Sequence, residues 1–137
     1  MDNNILIIYS DGGARGNPGP AAIGYVIKNV SGKILAEAGL QIGVATNNEA
    51  EYKGIIVALQ AAASFKNSKK FSIQAFLDSK LVVEQLSGNW KIKEIRLKDL
   101  ASQAKDLEKN FKNVTYAHIP REKNTLADSL LNQALDS

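Results

Sequence analysis

The sequence predicts an α/β fold on a mixed sheet, and three observations predict it. Two short runs of strand-forming residues, Ile5-Leu6-Ile7-Ile8-Tyr9-Ser10 and Phe71 to Leu77, each run straight into an aspartate, Asp11 and Asp78. A helical periodicity from Thr46 to about Phe65 lies between them, and a helical crossover makes parallel neighbours of the strands it joins. Before that helix, the short glycine-containing connection Asn29-Val30-Ser31-Gly32-Lys33 links two further strand-like runs as a hairpin, so the first three strands form an antiparallel meander.

The first run, Ile5 to Asp11, is almost wholly apolar and reads as a strand buried on both faces. Its terminal carboxylate is then costly, by about 2–5 kcal/mol if left unpaired, so a cation is expected beside Asp11. Gly12-Gly13-Ala14-Arg15-Gly16-Asn17-Pro18-Gly19-Pro20 reads as a chain-reversing loop, and no Gly-Lys-Ser/Thr follows to make it a nucleotide phosphate loop. Ala22–Lys28 and Ile34–Ile42 are the second and third strands, closed by Gly43 to Ala45.

Thr46, Asn47 and Asn48 suit a helix cap, with acids in the first turns where the dipole favours them. The apolar stripe Ala50, Ile55, Ala58, Leu59, Ala62 and Ala63 separates two glutamates. Glu51, four before Ile55 and eight before Leu59, points to the buried side, and Glu49, four before Lys53, points to water.

After the fourth strand and Asp78, Ser79 caps a short helix to Leu86. Leu97, Leu100, Ala104, Leu107 and Phe111 mark a helix of about four turns. The basic segment Gly88-Asn89-Trp90-Lys91-Ile92-Lys93 lies between the two, with Trp90 either presented to a ligand or packed between helices. Val114–Ile119 is the fifth strand and carries His118, the single histidine. Asn124 caps a last helix carrying Leu126, Ala127, Leu130, Leu131, Ala134 and Leu135, and Asp128 sits at the border of its apolar stripe.

Composition narrows the chemistry. With no cysteine among 137 residues there is neither a disulfide nor a thiolate metal site, which leaves oxygen ligands or one imidazole. A hydrophobic share of 45% and a charged share of 23% suit a soluble chain with one domain over residues 1–137. No apolar run approaches the roughly 18 residues of a membrane span, and Met1-Asp2-Asn3-Asn4 lacks the features of a signal peptide, so no membrane partner and a cytoplasmic location are expected. The net charge of +3 is mild and selects no partner.

Four acids therefore face inward or end strands: Asp11, Glu51, Asp78 and Asp128. Brought together they repel, and hard cations such as Mg²⁺ or Mn²⁺ relieve that repulsion in the arrangement that serves in-line phosphoryl transfer. Helix caps and strand ends also use such acids for structure alone.

The segments DGGARGNPGPA, TNNEAEYKGIIVAL, LDSKLVVEQLSGNWK and HIPREKNTLADSLLNQA resemble, in order and spacing, the successive motifs of the ribonuclease H family, type 1 (ribonuclease HI), over nearly the whole chain. The resemblance implies that family's fold, a five-stranded mixed sheet with strands one to three antiparallel and helices on both faces. It also implies endonucleolytic hydrolysis of the RNA strand of an RNA/DNA hybrid by two Mg²⁺ ions, with Mn²⁺ as an alternative, leaving 5′-phosphate and 3′-hydroxyl ends. By the same resemblance Asp11 bridges both ions, Asp128 holds the ion that activates water, and Glu51 with Asp78 holds the one at the leaving oxygen. Glu51 is also where the family senses the 2′-hydroxyl. His118, ten before Asp128, matches the histidine that assists product release in some members, and it is a strand residue with a satisfied imidazole otherwise. Asn17, Thr46, Asn47 and Asn48 are expected to contact the nucleic-acid backbone, Gly12 to form a wall of the hybrid groove, and Trp90 with Lys91 and Lys93 to face the DNA strand.

The sequence departs from the family's best-known bacterial members in two places. Only about ten residues separate Leu86 from Leu97, so their long basic protrusion is missing, and weaker, more salt-sensitive hybrid binding follows. Lys80 replaces the Gln that often follows Asp-Ser. Two readings stand beside hybrid cleavage: a same-fold nuclease active on double-stranded RNA, and a non-catalytic hybrid-binding module. The second has no need of an acidic cluster facing a polyanion. A monomer without an obligatory protein partner is expected.

Overall fold

The computed structural model describes residues 4–137, so the start of the N-terminal segment read for targeting lies outside the described residues. Three antiparallel strands come first, β1 (Ile5–Ala14), β2 (Gly19–Asn29) and β3 (Ile34–Ala45), followed by helix α1 (Asn47–Ala63) and strand β4 (Ser72–Leu77). Helices α2 (Lys80–Leu86) and α3 (Ile95–Leu107), strand β5 (Asn113–His118) and helix α4 (Thr125–Asp136) complete the order expected from the sequence. The sheet runs β3-β2-β1-β4-β5, with β1 pairing antiparallel to β2 and parallel to β4. No helix among the described residues is long and apolar enough to cross a membrane.

β1 is longer than its apolar run suggests. Gly12, Gly13 and Ala14 continue the strand opposite Ile23, Ala22 and Ala21, and the turn shrinks to Arg15–Pro18, closed by Arg15 N–H donating to Pro20 C=O at 2.8 Å. Two glycines look like a loop in sequence, yet Gly12 sits here because α1 lies directly on it. A Cβ at Gly12 would stand 2.0 Å from the Ala50 carbonyl oxygen, and one at Gly54 would stand 2.6 Å from that of Asp11. Strand and helix backbones thus touch at two bare positions.

Burial along β1 alternates rather than being complete on both faces, because Leu6, Ile8 and Ser10 are buried while Ile5, Ile7 and Tyr9 are half-buried. The fully buried side meets α1, α2 and α3 in the main core, which includes Tyr52, Ile55, Leu59, Leu77, Val82, Leu86 and Ala104. On the other side α4 packs over β2, β3 and part of β1, and its backbone comes close enough to Gly24 and Gly39 that a Cβ at either would lie 2.1 Å from a helix carbonyl. Helices therefore cover both faces, as the family's fold requires.

Two helix ends differ from expectation. α1 stops at Ala63 rather than near Phe65, with Ser64 folding its hydroxyl back onto Ala61 C=O. α3 ends at Leu107 and a single tighter turn, Glu108–Asn110, carries the chain to the buried Phe111.

Candidate active site

The parallel pairing of β1 and β4 sets Ser10 beside Leu77, and the next residue of each chain is an aspartate. Asp11 and Asp78 therefore emerge at the same sheet edge, where open α/β sheets place ligands. The close approach of α1 at Gly12 brings the first turns of that helix over the same edge, and with them Glu51. One carboxylate oxygen from each of Asp11, Glu51 and Asp78 lies within 4.8 Å of the others.

These acids are poorly satisfied by protein alone. Asp11 is only 3% exposed and takes the Gly12 N–H on Oδ1 at 2.9 Å, while its Oδ2, Glu51 Oε2 and Asp128 Oδ1 are buried without a hydrogen-bond partner. Burial, as the largest cause, pushes the Asp11 carboxyl from 3.8 up to about 7. The Glu51 side chain and the Gly12 N–H offset part of that rise, whereas the charges of Asp78 and Asp128 add to it. Glu51 is also raised well above the usual range, first by burial and then by Asp11 and Asp78. Orphaned anionic oxygens in an all-oxygen donor set fit hard divalent cations.

Asp128 lines the same cleft, of about 300 Å³, with Asp11, Gly12, Asn47, Glu51, Asp78 and Arg121. It stands outside the tight group of three, and its Oδ1 lies 3.6 Å from the guanidinium of Arg121. His118 ends β5 in register with Leu77, exposed to solvent and outside the residues that line the cleft.

The first turn of α1 is braced from the hairpin. Thr46 caps the helix by accepting from Glu49 N–H, and Glu49 returns its carboxylate to the Thr46 N–H at 2.9 Å. This corrects the expectation that Glu49 points to water: the capping box turns it back onto the backbone, and the capping N–H holds its carboxyl below the usual range. Asn17 accepts from the Asn47 N–H at 3.0 Å while Asn47 accepts from the Ala14 N–H at 2.9 Å, so the two asparagines lock the β1–β2 turn to the helix. Asn48 lines a second groove with Gln85, Lys91 and Lys93. Trp90 is 44% exposed in the loop beside it, which settles against a Trp packed between helices.

Asn124 departs furthest from its expected part. It occupies the start of α4 but makes no side-chain cap; buried to 1% exposure, it donates to Ser10 C=O and lies near Asp78. Its type and place four before Asp128 fit a helix cap equally well, so only the long-range pairing distinguishes the two.

The reverse transcriptase-like family matches residues 9–134 of the chain. A ribonuclease HI of Halobacterium salinarum is 45% identical over 93% of this chain and 63% of its own length, and a bifunctional protein of Mycobacterium tuberculosis is 44% identical over 96% of this chain. The chain spans only 36% of that mycobacterial protein. Among solved structures, LC11-RNase H1 in complex with an RNA/DNA hybrid superposes with a TM-score of 0.91 at 43% identity, over 96% of each chain. The family match over residues 9–134, joined to a ribonuclease HI and an RNase H1 at 43–45% identity over nearly the whole chain, places the chain in the ribonuclease H family, type 1.

Proposed function

We propose that the chain is a metal-dependent endoribonuclease that hydrolyses the RNA strand of RNA/DNA hybrids to 5′-phosphate and 3′-hydroxyl ends. The observation that carries this is the meeting of Asp11, Glu51 and Asp78 within 4.8 Å at the sheet edge, with buried oxygens left for cations to satisfy. The hybrid bound by LC11-RNase H1 supports the same substrate.

Asp11, Glu51, Asp78 and Asp128 hold two Mg²⁺ ions in this reading, with Mn²⁺ as an alternative. Bound there, the ions supply Lewis-acid polarisation of the scissile phosphate and neutralise charge on the attacking and leaving oxygens. The chain's own groups orient the substrate around that centre. Gly12 forms a bare wall of the cleft, and the braced turn of Asn17, Thr46, Asn47 and Asn48 offers the start of α1 to the backbone of the hybrid. Trp90 and Lys91 meet the DNA strand from the loop that stands in place of a long basic protrusion. His118, exposed at the end of β5, carries a proton between the cleft and solvent through its imidazole. The unit is residues 1–137, acting as a cytoplasmic monomer.

The test is cleavage of matched RNA/DNA, RNA/RNA and DNA/DNA duplexes with Mg²⁺, Mn²⁺ or chelator, using the wild-type chain and Asp11→Asn. Metal-dependent cleavage of the hybrid that disappears in Asp11→Asn is expected. Full activity in the variant, or cleavage of DNA/DNA alone, overturns the reading.

A further inference from the structure

On its side of the sheet α4 covers β3, β2 and part of β1. Beyond it, Gln74, Thr115 and Ala117 of β4 and β5 are exposed and Phe76 is half-buried. Strand register sets Val26, Tyr9, Phe76 and Ala117 in one row across this face. The Tyr9 and Phe76 rings stack with centroids 5.4 Å apart and planes inclined by 25°, and the Lys28 ammonium lies 5.4 Å from the Tyr9 ring centre. The row thus runs from the buried Val26 through two rings and ends on a methyl group, with the Lys28 ammonium of the neighbouring row over the Tyr9 ring. β5 is the edge strand, about 4.8 Å from β4, and its small, exposed Ala117 side chain leaves a slot against Phe76 that is open on its outer side.

The flank of Tyr9 towards α4 is a cleft of about 160 Å³, lined by Lys28, Lys123 and Thr125 among others and by no acidic residue. Asn124 lines this cleft and reaches Asp78 on its other side, while Arg121 lines the carboxylate cleft. A turn of four residues, Arg121–Asn124, is the ridge between the two. The next row of the face, Lys28, Ile7, Gln74 and Thr115, offers a cation and hydrogen-bonding groups more than apolar area.

We propose that this face is a stacking platform for single-stranded RNA, which receives the unpaired continuation of the RNA strand as it leaves the carboxylate cleft over the Arg121–Asn124 ridge. The proposal rests on the function proposed above, because that reading makes RNA the strand lying on the carboxylates. An open sheet face with stacked aromatics takes bases by their π-faces, and Lys28 and Lys123, which line an acid-free cleft beside them, complement a phosphate chain, while Glu122 stands next to Lys123 on the ridge and Glu37 opposite Val26 on β3. A base in the slot over Ala117 extends the Tyr9–Phe76 stack by one layer.

Binding is measured at fixed salt in the Asp11→Asn background with Mg²⁺, comparing a blunt RNA/DNA hybrid with hybrids carrying four unpaired nucleotides of RNA or of DNA at either end. An RNA overhang of one polarity is expected to tighten binding by about tenfold. Ala117→Trp, which fills the slot from an exposed position, and Lys28→Gln are each expected to erase that gain while leaving blunt-hybrid affinity unchanged. Equal binding of blunt and overhung hybrids, an equal gain from DNA, or a gain that survives both substitutions overturns the platform. An NMR titration with a single-stranded hexaribonucleotide reads the face without the hybrid. Shifts of the Tyr9 and Phe76 ring resonances that Ala117→Trp abolishes support it, and unmoved rings refute it. Wild-type cleavage of the blunt hybrid without any overhang gain leaves the proposed activity standing and removes only the platform. A protein that binds this face and leaves RNA unbound there refutes it too.

Discussion

The side-chain amide of Asn124 donates to the Ser10 carbonyl at 2.8 Å, across 114 residues of chain, and the same nitrogen lies 3.4 Å from Asp78 Oδ2. The Asn124 carbonyl in turn accepts from the Asp128 N–H at 3.1 Å. One buried residue therefore ties together the strand before Asp11, the end of β4 and the helix that carries Asp128. Asn124→Ala leaves the Ser10 carbonyl unpaired in a buried place, at a cost of about 1–3 kcal/mol. Urea denaturation is expected to show that loss, and hybrid cleavage to fall by at least about tenfold because Asp78 and the strand end before Asp11 lose their side-chain brace, whereas the Asp128 N–H keeps the backbone carbonyl of residue 124. Unchanged stability and rate would show that Asn124 braces nothing.

Much of this frame was legible from side-chain patterns. The aspartate ending each of two strands, joined by a helix, was enough to place Asp11 and Asp78 at one edge, and the stripe of α1 was enough to turn Glu51 inward. What stayed hidden depends on contacts between distant segments. Gly12 reads as part of a loop because its need for a bare Cα comes from Ala50, and Asn124 reads as a cap because its partners are Ser10 and Asp78. Glu49 departs from its periodicity for a local reason, since periodicity reports the face of a helix whereas a capping box bends the side chain along it.

The raised Asp11 carboxyl makes metal-free stability depend on pH. Its folded value of about 7 lies above its ordinary 3.8, so between those values the folded state keeps a proton that the unfolded state has lost. Stability of the metal-free chain therefore falls as pH rises from about 4 to about 7 and stays lower above it. Asp11→Asn removes that loss, and denaturation at pH 8 with chelator is expected to show a variant more stable than wild type by on the order of 2–4 kcal/mol. Below pH 4 the two converge. A variant no more stable at pH 8 would mean that the acids tolerate one another unaided.

Metal should act on the same cost from the other direction. Ions that bind only the folded cluster stabilise it by mass action, about 2.7 kcal/mol when free metal is a hundredfold above its dissociation constant. The melting temperature of wild type at neutral pH is expected to rise with Mg²⁺ and to return on adding chelator. Glu51→Gln, which removes one of the three clustered carboxylates, should flatten that response. An identical Mg²⁺ response in wild type and Glu51→Gln would remove Glu51 from the ligand set.

The contact between α1 and β1 predicts a sharp contrast between two glycines. At Gly12 a methyl group would stand 2.0 Å from the Ala50 carbonyl oxygen, so Gly12→Ala must push α1 off the strand and should cost at least about 3 kcal/mol. Gly32, in the β2–β3 turn at φ +91, has nothing within 4 Å of an added Cβ, so its substitution meets only backbone strain of about 1 kcal/mol. Thermal denaturation of the two alanine variants should separate them clearly. Similar melting temperatures would show that α1 yields easily at this contact.

Trp90 and Lys91 separate stacking from charge. With Trp90 44% exposed in a loop, Trp90→Ala should change stability by no more than about 1 kcal/mol. If the indole meets the DNA strand, the KM for hybrid rises by about tenfold while kcat holds, because the lost contact is made equally in the bound and reacting states. Lys91→Ala removes a phosphate partner instead, so binding weakens and the slope of log affinity against log salt falls by about one, whereas Trp90→Ala leaves that slope unchanged. Measuring hybrid KM across a salt series for both variants distinguishes the two contributions. Equal salt slopes in the wild type and Lys91→Ala would place that lysine off the hybrid.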